Sequence, residues 1–177
     1  MRSQQRVSSG RWGAAAGLVA GALVAIALLG CGQGEVKAPN ATRALDERRA
    51  LEVIRQAVKN EGVEPAAGRD ARLTGGAKEI HIDVGVAGND YGIAYISADD
   101  AQKLGDAIPH ANKKDERLRL VRAGDDGETR IVLLYQDNYL YDDLSGEGHE
   151  QTTISAEHAL TRDVQDFITH ARTQKYK

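Results

Sequence analysis

EIHIDVGVAGNDYGIAYIS, residues 79–97, is the stretch on which the fold turns. Ile80, Ile82, Val84 and Val86 alternate with His81, Asp83 and Gly85, the period of two that sends successive side chains to opposite sides of an extended backbone. AGND at 87–90 then supplies turn residues, and YGIAYIS resumes the apolar run, so the two halves are expected to pair as an antiparallel hairpin. All four aliphatic residues of the first half are expected on one buried face, with His81 and Asp83 on the exposed one.

A second stretch repeats this grammar. RLRLVRA at 117–123 alternates, GDDG at 124–127 turns the chain, and TRIVLLYQ at 129–136 is nearly continuous in apolar residues, which suits the middle of a sheet. DNYLYDD at 137–143 adds a short fifth strand. A shift of 36 residues lays Ile82 on Leu118, Val84 on Leu120, Ala87 and Gly88 on Ala123 and Gly124, and Asp90 on Asp126. This match suggests internal duplication, although similar turn chemistry alone produces the same pattern.

Helical periodicity brackets the hairpins. Ala50, Leu51, Ile54, Ala57 and Val58 form one stripe within 44–60, with Thr42 as the expected N-cap. Ser97 with Asp100 resembles a capping box opening a short helix from Ala98 to about Asp106, before Pro109. Leu160, Val164, Phe167, Ile168 and Ala171 give the clearest stripe, within 155–172. Spacings of three and four place each set on one helix face. GVEPAAGRDARLTGGAK at 62–78, with its glycines and Pro65, reads as loop. The expected class is α+β: an antiparallel sheet of two hairpins with helices on one face, in the order helix, hairpin, helix, hairpin, helix.

The chain has 177 residues, 41% of them hydrophobic, which is material for one ordinary core. Its beginning is different in kind. MRSQQRVSSGRWG carries Arg2, Arg6 and Arg11 without an acid, and Ala14 to Leu29 is free of charge, the basic and apolar regions of a secretory signal. Trp12 to Gly32 is also almost long enough to span a bilayer uncut. At the end of this run stand Leu28, Leu29, Gly30 and Cys31.

These four residues resemble the lipobox of bacterial lipoprotein precursors. The resemblance covers about thirty residues at the N-terminus. It implies cleavage between Gly30 and Cys31, a diacylglyceryl group on the Cys31 sulfur, and an acylated amino terminus. Residues 1–30 are then a lipoprotein signal peptide, 31–42 a lipidated tether, and 43–177 a single α+β domain. A twelve-residue tether reaches roughly 20 Å if flexible and about 40 Å if straight. Gly32, rather than Asp, follows the cysteine, which by the same resemblance favours the outer membrane.

Cys31 is the chain's sole cysteine, and no histidine precedes His81. A catalytic thiol lacks its base here, and an intramolecular disulfide or Cys-x-x-Cys metal motif is excluded. The glycines of GCGQG follow no strand, so they do not make a phosphate loop. Loss of residues 1–30 removes three of 23 basic residues and none of 26 acidic ones, leaving a formal charge of −6. An acidic chain is poorly suited to phosphate backbones, so no nucleic-acid partner is expected.

Other chemistry is sparse. His149, Glu150, Glu157 and His158 cluster in sequence without the i, i+4 spacing of a helical metal pair, so no metal or cofactor is expected. DLSGEG at 143–148 begins like a calcium loop but has Ile154 where a carboxylate is required. No Gly-x-Ser-x-Gly occurs, and Ser97 and Ser155 read as helix caps. His81 and Asp83 are placed to meet Arg117 and Arg119 on a neighbouring strand. Tyr139 and Tyr141 share a strand face and, with Asp137, Asn138, Asp142 and Asp143 around them, form an expected partner-binding patch. The expectation is a lipid-anchored envelope binding module; the alternative is a small envelope enzyme or ligand sensor using His81, Asp83 or the histidines of the last helix.

Overall fold

The computed structural model describes residues 43–111, 118–142 and 151–176. In chain order these form β1 (Arg43–Ala44), α1 (Glu47–Asn60), β2 (Pro65–Ala66), β3 (Arg69–Arg72), β4 (Glu79–Ile82), β5 (Val84–Val86), β6 (Tyr91–Ile96), α2 (Ala98–Leu104), β7 (Arg119–Ala123), β8 (Thr129–Tyr135), β9 (Leu140–Tyr141) and α3 (Thr153–Gln174). The class is α+β with mostly antiparallel strands.

The main sheet runs β2-β5-β6-β8-β7. Both expected hairpins are present, β5 with β6 and β7 with β8. β6 and β8, however, lie side by side in parallel, from Tyr91 opposite Arg130 to Ile96 opposite Tyr135. Burial explains this order. The side chains of β6 are buried throughout and those of β8 nearly so, whereas β7 carries Arg119, Arg122 and half-exposed Leu120 and Val121. β8 therefore takes the centre and β7 the edge, where charge is tolerated and blunts strand addition.

Helices cover both faces, not one as expected. α1 and α3 pack on Val84, Val86, Tyr91, Ile93, Tyr95, Val132 and Leu134. Leu104 of α2, with Ile108, packs on the opposite set, Ala94, Ile96, Ile131 and Leu133, alongside Leu73, Ile80 and Ile82. A central strand buried on both sides needs two apolar layers, which is why YGIAYI and TRIVLLY read as near-continuous runs.

The expected common face for Ile80, Ile82, Val84 and Val86 is also corrected, because the strand changes face at Asp83. Asp83 and Val84 both stand opposite Ile93: the Asp83 N–H donates to the Ile93 carbonyl at 2.9 Å, and Val84 is its ladder partner. This is the arrangement of a β-bulge, in which one extra residue inverts the alternation. Ile80 and Ile82 consequently join the α2 layer and Val84 and Val86 the α1–α3 layer.

The other strand bends at the same level. Residues 62–78, expected as loop, contain β2, paired with β5, and β3, paired with β4. Between β2 and β3, a Cβ on Gly68 would lie 2.8 Å from the Ile82 carbonyl oxygen, so close approach of the two backbones requires glycine there. The bent ribbon crosses the α2-side face, where the side chain of Ile82 sits over Gly92. Its end meets β7: Leu73 bridges Ala123, and the Thr74 N–H donates to the Arg122 carbonyl at 3.0 Å. Lys78 ties the ribbon to α2 by donating to the carbonyls of Lys103 and Leu104 at 2.7 and 2.8 Å.

Helix starts follow local hydrogen bonding. Asp46, rather than Thr42, caps α1, accepting from the Arg49 N–H at 3.4 Å; Thr42 lies outside the described residues. Ser97 caps α2 in a full capping box with Asp100. Thr152 caps α3 by accepting from the Ser155 N–H at 3.2 Å, so Ser155 receives the cap and does not supply it.

Gly92→Ala tests the folded-over ribbon, since its Cβ would meet Ile82 Cγ2 at 2.5 Å. The expected cost is about 1–3 kcal/mol in urea unfolding. Ile82→Ala in the same chain should make Gly92→Ala cheaper than it is in the parent, and additive costs would contradict the contact.

Candidate functional site

A cleft of about 370 Å³, its open mouth included, lies where the parallel strands β6 and β8 end. Ile96 is the last residue of β6 and Tyr135 the last of β8. A parallel pair delivers both carboxyl ends, and the loops that follow them, to the same side of the sheet, which is where open sheets leave a crevice. Ala101 of α2 with Ile108 and Pro109 wall the cleft, and Ser97, His110 and Asp137 contribute its polar groups.

The walls are held by the fold. Ile96, Ile108 and Tyr135 are each at most 5% exposed, and the Tyr135 hydroxyl donates to the Pro109 carbonyl, fastening the segment after α2 to the end of β8. Burial raises the Tyr135 phenol above its usual range, so it remains a hydrogen-bond donor. The Ser97 hydroxyl is committed to its cap, donating to Asp100 Oδ2 at 2.6 Å. His110 is 83% exposed and lies 3.6 Å from Asp106. These groups do not assemble a nucleophile with its base.

A second, shallower groove lies between α1 and α3, lined by Gln56, Ala57, Asn60, His158 and Thr161. The Arg49 guanidinium closes one part of it with two parallel hydrogen bonds to Glu157, at 2.6 and 2.9 Å. That fork raises the Arg49 pKa further above its ordinary value and fixes the helices against each other.

The residues singled out in the sequence are scattered. Gly30 and Cys31 lie outside the described residues, as do Arg117, His149, Glu150 and residues 143–148. His81 does not meet Arg119, because it lies toward the end of the β3–β4 ribbon away from Leu73, the part that reaches β7. It pairs instead with Asp70 of β3, Nδ1 to Oδ1 at 2.7 Å. That hydrogen bond is the main cause of a raised His81 pKa, opposed by partial burial and aided by the charges of Asp83, Asp70 and Glu47. Asp83 is half-buried, and desolvation raises its carboxyl pKa against the lowering effect of the hydrogen bond it accepts from the Tyr95 N–H at 2.7 Å. Among the described residues no three His, Cys, Asp or Glu side chains converge as a metal-binding group. No described helix is long and apolar enough to cross a membrane.

The exposed tyrosine patch is corrected at Tyr139. That side chain is 2% exposed; its ring stacks on Tyr95 at 6.4 Å, and its hydroxyl donates to Asp163 Oδ2 at 2.8 Å. Burial, and then the Asp163 charge, push its pKa well up. The cause is the three-residue turn at Gln136–Asn138, which carries Tyr139 under α3. Tyr141 is half-buried in β9 opposite Arg43 of β1, whose guanidinium lies 6.0 Å above its ring. Of the cleft residues, Ile108 and Tyr135 carry no sequence signal beyond the place of Tyr135 at the end of an apolar strand, and Asp137 is legible only as a rim residue of the expected tyrosine patch. Comparison with protein families, with functionally described proteins and with solved structures finds no match.

Tyr139→Phe is expected to cost about 0.5–1.5 kcal/mol by removing one hydrogen bond, and Tyr139→Ala about 3–5 kcal/mol as a core truncation; unchanged melting of both would return Tyr139 to the surface. For Asp83 the fold favours the neutral acid, so its contribution is fully present below about pH 4 and is lost as pH rises through the raised folded value. Asp83→Asn keeps an oxygen for the Tyr95 N–H and should flatten that part of the stability profile, measured as urea midpoints from about pH 4 to 7. Asp83→Ala should be destabilised by about 1–3 kcal/mol at every pH.

Proposed function

We propose that this chain is a lipid-anchored cell-envelope protein whose folded part is a binding module for another envelope component. The observation that carries the reading is the order basic start, charge-free run, Leu28, Leu29, Gly30, Cys31. Cleavage before Cys31 and acylation of it provide more than one hydrocarbon chain, and two are needed for stable membrane residence. The twelve residues 31–42 hold the domain close to its membrane, facing the periplasm or the cell surface, with the outer membrane favoured by Gly32.

A binding role, as opposed to a catalytic one, is supported by the character of the cleft. Its inner walls are apolar, and its polar groups are a committed cap, an exposed histidine and an exposed carboxylate. Tyr141 remains a half-exposed candidate contact, without Tyr139. Internal duplication belongs to the same reading: Gly88 and Gly124, matched by the 36-residue shift, both turn the chain with positive φ, 76° and 88°.

Cys31→Ala should accumulate as uncut precursor that retains residues 1–30. Intact mass of the wild-type protein should show an acylated N-terminal Cys31; a free thiol there would overturn the proposal. Crosslinking of the anchored protein within its own envelope should give discrete adducts, and their absence would count against the binding module.

A further inference from the structure

We propose that the cleft at the carboxyl ends of β6 and β8 receives a lysine side chain presented by an extended segment of a partner protein. The inference rests on the binding-module reading and names the chemistry of its ligand.

The cleft's shape selects a slender apolar stem. Ile96, Ile108, Pro109 and Tyr135 line it, and the tyrosine hydroxyl on the proline carbonyl fastens two of them together. Four methylenes laid in this trough leave water at about 25 cal/mol for each Å² covered. Lysine and arginine side chains bury such stems while their charged heads stay wet.

Charge at the mouth selects a cation. Asp137 lines the cleft and is exposed, and no cationic group is bonded to it among the described residues. Among the described residues the other charges nearby are acidic or already engaged, Arg119 near Tyr135 included. Lys103 leans on Asp100 at 3.7 Å and His110 on Asp106 at 3.6 Å, while Asp99 stands in the first turn of α2. A carboxylate ligand would meet this rim as a like charge, whereas an ammonium would complete it. The Tyr135 ring adds an aromatic face within the same cleft.

The open lip argues for a protein segment over a free amine. Ala98, Pro109, His110 and Ala111 are exposed along it, so a chain bearing the lysine can enter and leave on either side of the trough. Lysine is chosen over arginine because its four methylenes end in a compact ammonium, whereas arginine has three before a broad planar guanidinium.

The test uses the full lipidated chain in detergent and fluorescence anisotropy of a seven-residue Gly/Ser peptide with lysine at its centre. Matched peptides carry norleucine, arginine or glutamate there. Lysine should bind about fivefold more tightly than norleucine, the scale of one exposed ion pair, and glutamate least. Asp137→Asn should bring the lysine peptide down to the norleucine level and leave norleucine binding unchanged, with circular dichroism checking the fold. No binding, equal binding of lysine and glutamate, or a preference for arginine overturns the inference. So does free n-butylammonium that competes as well as the peptide. Envelope crosslinks that persist unchanged in Asp137→Asn would defeat this inference alone, while loss of crosslinks from the parent would defeat the binding-module reading beneath it.

Discussion

The structure depends on one backbone hydrogen bond made to a side chain. At Asp83 the strand begun at Glu79 joins the main sheet, and the Tyr95 N–H, which would otherwise face a missing ladder partner, donates to the Asp83 carboxylate at 2.7 Å. A buried N–H without an acceptor costs as much as a lost hydrogen bond. With that need met, the strand can shift by one residue, and everything beyond the bulge falls on the other face. Half-burial of the carboxylate is the cost, visible in its raised pKa.

From this bend follows the second layer of the core. Ile80 and Ile82 would have added to the α1–α3 side; instead the ribbon of β3 and β4 folds across the α2 side and buries them with Ile96, Leu104 and Ile108. Gly68 and Gly92 make the close approaches possible. Lys78 then secures the end of α2. The cleft forms against this second layer: Ile96, Ile108 and Tyr135 belong to it and line the cleft.

The same packing separates structural tyrosines from an available one. Tyr95 and Tyr139 stack on each other, and the Tyr95 hydroxyl donates to the Leu45 carbonyl just before α1. Tyr91 sets its ring edge-on to Phe167 of α3 at 5.6 Å. These rings hold α1, α3 and the start of the domain to one sheet face. Tyr141, on the two-residue strand beside Arg43, stays half in solvent.

What the sequence determined by itself was local. Periodicity of 3.6 located the first and last helices, turn residues at 87–90 and 124–127 located two hairpins, and the apolar continuity of TRIVLLY assigned it to the middle of the sheet, because each of these signals arises within a few residues of chain. The Ser97–Asp100 cap was legible for the same reason. The tertiary structure decided the rest. Alternation predicts a common face only while the ladder is unbroken, and nothing in EIHIDVGV marks the break, because Asp83 stands at an outward position of the expected strand. Parallel pairing of β6 with β8 and the burial of Tyr139 join residues far apart in sequence, while the strand character of the 62–78 segment and the pairing of His81 with Asp70, 11 residues away, depend on where the bent ribbon folds. The cleft was illegible on similar grounds: Ile96, Ile108, Tyr135 and Asp137 become neighbours only when two parallel strands, paired Ile96 to Tyr135, end at the same side of one sheet.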